Sequence, residues 1–266
     1  MPLVNGGVKV GQDLARIVIL TDPITLTFAA LCFLIAGTIK GVVGIGLPTA
    51  AIGLMTLLID PRLAISITLI PMVGSNAWQV WRMGDVAATV RRYKWLAVVL
   101  AICVAATTLL SRTVPQEALM AILGGSIVVF VLVSLAHELP KLPDRLDQPA
   151  QVVMGGLAGV MGGLTAVWAP PMVMYLTARG VTKDEFVRAT GVLIFIGCIP
   201  LVWGYAYNGF LTPERALSST MMLIPTIAGF TLGERIRSRL PAATFKKVLL
   251  YVFLILGLNL LRRALF

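Results

Sequence analysis

Charge is what this sequence has least of. Of its 266 residues, 13% are Asp, Glu, Lys or Arg, while 58% are hydrophobic and the mean hydropathy is +0.92. A soluble domain carries charge on roughly 25% of its residues, so too few are present here to cover a water-facing surface. Histidine occurs once, as His137 at the end of an apolar run, which leaves a histidine-based metal site or catalytic triad unsupported. Cysteine occurs three times, and Cys32, Cys103 and Cys198 each sit inside an apolar run without C-x-x-C spacing. Core packing is therefore favoured over redox or metal chemistry for all three. No Walker-type phosphate loop is present, and neither a metal nor a cofactor is expected. Residues 1–22 contain Lys9 and Arg16 but no compact apolar core ending in a small-residue cleavage site. The first span is thus read as an uncleaved insertion signal.

What the sequence does have is a succession of long apolar runs, over 24–58, 63–81, 95–111, 117–136, 150–178, 188–207, 215–233 and 243–261. About 20 apolar residues suffice for one transmembrane helix. The fold class is accordingly all-α, a polytopic membrane protein whose residues 1–266 form a single transmembrane domain. The net charge of +10 would suggest nucleic acid in a soluble protein. Here the basic blocks Arg91-Arg92-Tyr93-Lys94 and Arg235 to Arg239 flank apolar runs, as expected on the cytoplasmic side of a bilayer. The partners expected are membrane lipids and a small anion, not nucleic acid, and the scaffold leaves room for a homo-oligomer.

Two runs are too long for one span and are interrupted by glycine and proline. The first contains Gly37, Lys40-Gly41-Val-Val-Gly44-Ile-Gly46-Leu-Pro48. The second contains Gly155-Gly156-Leu-Ala-Gly159-Val-Met-Gly162-Gly163, then Thr165, Trp168, Pro170 and Pro171. Gly41 and Gly44 align with Gly159 and Gly162 at an offset of 118, and Val114-Pro115 with Leu240-Pro241. The chain reads as two copies of one unit, about 24–136 and 150–263. Each is a broken helical hairpin followed by three transmembrane helices.

Placing loops 82–94, 137–149, 179–188 and 234–247 in the cytoplasm puts 14 of the 22 Lys and Arg inside and 7 outside, with Lys40 in the membrane. That partition requires each broken run to return to its own side and makes the two repeats inverted. Whether each hairpin crosses fully or only re-enters stays open, because both have the same parity.

Inverted repeats with broken helices at matching positions are a recurring design of secondary transporters. A break frees backbone N–H and C=O groups that hydrocarbon cannot satisfy, so it belongs beside protein or a watery cavity. Half-helix N-termini there carry positive dipole ends that suit an anion. Lys40 is the sharpest single residue, being the only charge between Asp22 and Asp60. Lysine at bilayer depth costs about 2.5–3.5 kcal/mol on insertion scales and usually marks a substrate pathway. The competing reading has Lys40 end a half-helix and snorkel to the interface.

The candidate binding set is Lys40, Gly41, Gly44, Gly46 and Pro48 in the first break, with Asn76 and Gln79 one turn apart on the next span. In the second break it is Gly159, Gly162, Gly163, Thr165, Trp168 and Pro170, Thr165 and Trp168 offering hydrogen-bond donors. Closely spaced glycines also serve helix packing, which is the preferred reading for Gly53, Gly74, Gly124 and Gly191. The two breaks are expected to meet near mid-bilayer.

The run Lys40-Gly41-Val-Val-Gly44-Ile-Gly46-Leu-Pro48, the later Asn76 and Gly159-Val-Met-Gly162-Gly163 with Pro170 resemble the sulfite exporter TauE/SafE family. The similarity extends over nearly all of residues 24–263, including Gly229 and Gly233. The resemblance implies export of small sulfur oxyanions, sulfite or organosulfonates such as sulfoacetate, across the bacterial inner membrane. Export of an anion from a negative interior is favoured by about 2.3 kcal/mol per charge per 100 mV, and every Asp and Glu lies in or beside a loop, so a uniport is the simpler expectation. The alternatives are uptake or export of another small organic anion such as a carboxylate, and a membrane-embedded enzyme. The enzyme would need a catalytic constellation that the sequence does not display.

Overall fold

The structure, a computed structural model, describes residues 23–135, 141–239 and 242–265. Lys9, Arg16, His137 and the Leu240-Pro241 pair lie outside the described residues. Eleven α-helices and one 3₁₀ turn are described, with no strand among the described residues. The first half contains α1 (Pro23–Val43), α2 (Leu47–Met55), α3 (Pro61–Met83), α4 (Val86–Arg92), α5 (Lys94–Leu110) and α6 (Gln116–Leu135). The second contains α7 (Asp147–Thr165), α8 (Ala169–Ala178), α9 (Lys183–Tyr207), α10 (Pro213–Arg239) and α11 (Ala242–Leu265). Five of these, α1, α3, α6, α9 and most of α10, are long and apolar enough to cross a membrane, and α4 with α5 makes a sixth if counted as one bent span. The protein is a multi-pass helical membrane protein.

Local chemistry sets the boundaries. Asp60 caps α3, its carboxylate accepting from the Arg62 N–H at 2.8 Å and the Leu63 N–H at 3.3 Å, with Pro61 at the first helical position. Thr182 caps α9 by accepting from the Glu185 N–H at 3.3 Å. Residues 86–92 form a helix, α4, where the sequence suggests only a loop, and α4 bends by 85° into α5. Seven residues are too few to show an apolar period.

Pro71 lies inside α3 and cannot bond the Ile67 carbonyl one turn back. The Ser219 hydroxyl of α10 donates to that carbonyl at 2.7 Å and accepts from the Ile70 N–H at 3.0 Å. Without such a repair the kink would leave polar groups bare in hydrocarbon.

The halves interlock. Gly37 and Gly41 of α1 lie against the backbone of Thr226, Phe230 and Gly233 in α10, and Gly229 and Gly233 face Leu34 and Thr38 in return. In the same way Gly155, Gly159 and Gly163 of α7 meet the backbone of Leu96, Leu100 and Val104 in α5. Small residues let helix backbones approach closely where lipid offers no hydrophobic drive. Each half thus lends its long broken helix to a partner in the other half.

Ion pairs and hydrogen bonds sort the loops onto two faces. Arg82 pairs with Glu234 at 2.7 Å, Arg92 with Glu185 at 2.7 Å, Arg188 with Asp85 at 2.6 Å, and Arg179 with Asp144 at 2.8 Å. Those residues fall in the basic loops assigned to one side. At the other end of the helices the Arg62 guanidinium donates to the Ser111 and Val114 carbonyls, Arg263 to the Thr56 carbonyl, and Asn208 to the Thr108 carbonyl.

Candidate functional site

Both sequence breaks are real discontinuities of three residues. Between α1 and α2, Gly44 and Gly46 adopt φ of 89° and 100°, and Pro48 opens α2. This left-handed region strains any residue with a Cβ. Between α7 and α8, Ala166 takes φ 58° and Trp168 precedes Ala169, Pro170 and Pro171. Helix ends, second starts and the first residues of α3 and α9 are all displaced by 122 residues. The offset of 118 read from glycines alone is therefore one helical turn short, because glycines recurring every three or four residues match equally well after such a slip. In the corrected register Lys40 stands opposite Gly162, and Asn76 opposite Cys198.

The structure also decides how deep each hairpin reaches. At 1.5 Å per residue, the nine residues of α2 and the ten of α8 rise roughly 14–15 Å, half of the ~30 Å hydrocarbon core. Neither crosses alone.

Lys40 is 1% exposed, and its ammonium donates to Asn76 Oδ1 at 2.6 Å. Asn76 is held in that orientation because its Nδ2 donates to the Met72 carbonyl at 2.7 Å. Lys40 does not snorkel. No salt bridge engages it among the described residues, and the titratable group near enough to interact with it is the Cys198 thiol of α9. A buried ammonium with an amide for its partner leaves its charge uncompensated.

Gln79 bridges the first break to the second half. Its Nε2 donates to the Val187 carbonyl at 2.6 Å and to the Gly44 carbonyl at 3.2 Å, and its side chain packs on Gly191. Its Oε1 is buried without a hydrogen-bond partner among the described residues, as are Thr49 Oγ1 and Trp168 Nε1. Buried polar atoms are nearly always satisfied, so each such orphan calls for a reason. Thr165 is engaged locally, donating to the Met161 carbonyl at 2.7 Å and accepting from the Val167 N–H at 3.2 Å.

The candidates divide accordingly. Lys40, Asn76, Gln79, Gly44, Gly46 and Pro48 gather around the first break. The Trp168 ring lies over Gly162 and Gly197, next to Cys198, while Pro170 starts α8. Gly41, Gly159 and Gly163 sit at helix–helix contacts. The two breaks do not meet each other as the sequence suggests. Both lie along α9, Gly44 at Val187 and Trp168 at Gly197, about 15 Å apart along that helix. Thr49, which directly follows Pro48, was not among the candidates, and Cys198 lies in the core as expected, where only the fold brings it near Lys40.

A cavity of about 540 Å³ separates the first break from α8, its wall running from Ile39, Val42, Val43 and Ile45 to Val173 and Leu176. It belongs to the face that carries loop 179–188, since Gly180, Val181 and Lys183 line it.

The profile described as "Sulfite exporter TauE/SafE" matches residues 29–260. The chain belongs to the sulfite exporter TauE/SafE family. The family is one of membrane transporters of sulfur anions. A second similarity is partial: 31% identity over 107 residues with a "Probable molybdenum cofactor guanylyltransferase" of Chloroflexus aggregans (strain MD-66 / DSM 9485), covering 40% of this chain. The match takes in 51% of that protein, so the chain spans about half the length of the curated relative it matches. So limited a match carries no activity to this chain. No solved structure matches it.

Proposed function

We propose that this TauE/SafE protein exports a small sulfur oxyanion, sulfite or an organosulfonate such as sulfoacetate, across a bacterial inner membrane by alternating access. The observation that carries the reading is Lys40, a buried cation whose nearest partner is the neutral Asn76. An anion that reaches it supplies the missing counter-charge. Asn76, fixed by Met72, holds the ammonium in place. Gln79 ties the Gly44 carbonyl to α9, so displacement of the first break is coupled to the second half of the molecule.

Two further features support it. The unpartnered Trp168 indole N–H and Thr49 hydroxyl are donors suited to oxyanion oxygens. Each half opens with a broken helix and the basic loops lie on one face, features that accord with inverted-repeat carriers. The driving force in this reading is the anion gradient together with the membrane potential.

The test is flux into proteoliposomes of sulfite, sulfoacetate, thiosulfate and lactate under an imposed potential with pH clamped. Faster entry of the sulfur anions, scaling with potential, supports the proposal. Lactate entering as fast as sulfite would replace sulfur anions with carboxylates as substrate, and dependence on a pH gradient alone would reject the uniport.

A further inference from the structure

The cavity beside the first break is poorly matched to sulfite. Apart from Ser134, Thr177, Gly180 and Lys183, its lining is entirely aliphatic or aromatic. Phe130 and Phe253 line it with their ring centroids 6.0 Å apart and tilted by 56°. At about 540 Å³ it has the size of a site for a whole organic molecule, since ligand pockets of roughly 300–1,000 Å³ hold drug-sized compounds against apolar walls with few polar groups. A bare oxyanion would lose its hydration there and gain nothing in return.

Polar groups sit at one end. Lys183, exposed at the start of α9, is the single charged residue of the lining, and no ion pair or hydrogen bond engages it among the described residues. Thr177 and Gly180 share that mouth. The charge pattern is that of an amphiphilic anion, a hydrocarbon body inside and an acidic head at the basic rim. Ile39, which lines the cavity, immediately precedes Lys40, so the body would lie beside the helix that carries the buried cation.

From volume, lining and charge together, we infer that this cavity binds the hydrocarbon body of an organosulfonate, with its sulfonate at Lys183, making the substrate an organosulfonate with an apolar moiety. The inference rests on the transport reading of Lys40 and adds to it a second subsite with a different chemical preference.

Hexanesulfonate, naphthalenesulfonate, ethanesulfonate and sulfite are compared for binding and flux in the full chain reconstituted in lipid. Each methylene withdrawn from water is worth about fourfold in affinity, so hexanesulfonate is expected to bind at least ~10-fold more tightly than ethanesulfonate. Val173→Trp fills the cavity and removes that preference while sulfite flux persists. Thr177→Trp, nearer the mouth, does the same if Val173→Trp fails to fold. Lys183→Gln weakens hexanesulfonate binding and leaves neutral hexanol unaffected.

Lack of a chain-length preference in the parent, or its survival in a folded Trp variant, overturns the inference. So does hexanol or a phospholipid acyl chain occupying the cavity as well as hexanesulfonate, which would make it a lipid site. None of these results touches the Lys40 reading. That reading fails separately, if Lys40→Ala transports sulfite at the parent's rate.

Discussion

At the scale of single residues, Lys40 is set apart by what surrounds it. Asn76 offers it an oxygen but no charge. Asn76→Asp would place a carboxylate beside the ammonium while giving up the Nδ2 donor to the Met72 carbonyl, and a substrate anion would then have to compete with it. The expected result is at least ~10-fold weaker anion binding in folded protein, because a charged hydrogen bond is worth about 1.5–3 kcal/mol against roughly 1 for a neutral one. Unchanged affinity in Asn76→Asp would mean that the anion does not visit Lys40. Gly44 is constrained differently: φ is 89°, and a Cβ there would stand 2.9 Å from Val187 Cγ2. Gly44→Ala is expected to destabilise by at least about 1–2 kcal/mol, seen as a lower melting temperature in detergent.

Tyr93, outside the spans, reports on pH. Burial, reinforced by its hydrogen bond to Glu185, pushes its hydroxyl well above the ordinary phenol range. Folding therefore favours the protonated form. Its contribution is intact below the unfolded phenol value of ~10 and declines as pH rises above it. Tyr93→Phe should flatten the alkaline fall of stability, which a melting series across that range measures. Lys40 was legible in the sequence as a solitary charge in an apolar run. Cys198 was not, because a cysteine among apolar residues has no distinguishing pattern until α9 brings it to α1.

At the scale of elements, the breaks were visible as glycine and proline clusters, and their existence was read correctly. Their pairing was misplaced by one turn because glycine spacing alone cannot fix a helical register. The sequence could not reveal that α1 packs on α10 and α7 on α5, which gives Gly41, Gly159 and Gly163 a role in close approach. Proline kinks were legible, but not their remedy. Ser219 supplies the donor that Pro71 withholds from the Ile67 carbonyl and also accepts from the Ile70 N–H. Ser219→Ala leaves the Ile67 carbonyl without its donor in the bilayer, at an expected cost of about 1–3 kcal/mol. A melt no lower than the parent's would show that the kink is relieved some other way.

At the scale of the whole molecule, basic residues grouped by sequence arithmetic also pair with acids on one face. The exposed pairs Arg82–Glu234 and Arg92–Glu185 are worth little individually. Their use lies in showing which loops share a side. Positive charge is retained on the cytoplasmic side, so that face should be internal. In a cysteine-free background, Arg112→Cys should react with an impermeant thiol reagent on intact cells, and Asp144→Cys only after permeabilisation. The reverse pattern would invert the orientation.

In the transport reading Lys40 compensates the charge of a transported anion. The most direct measurement is initial sulfite and sulfoacetate flux in proteoliposomes containing equal amounts of folded parent or Lys40→Ala. The site predicts a loss of at least ~10-fold, with the variant still folded, as expected when a charged contact of about 1.5–3 kcal/mol is removed. Equal flux from the two proteins would contradict it.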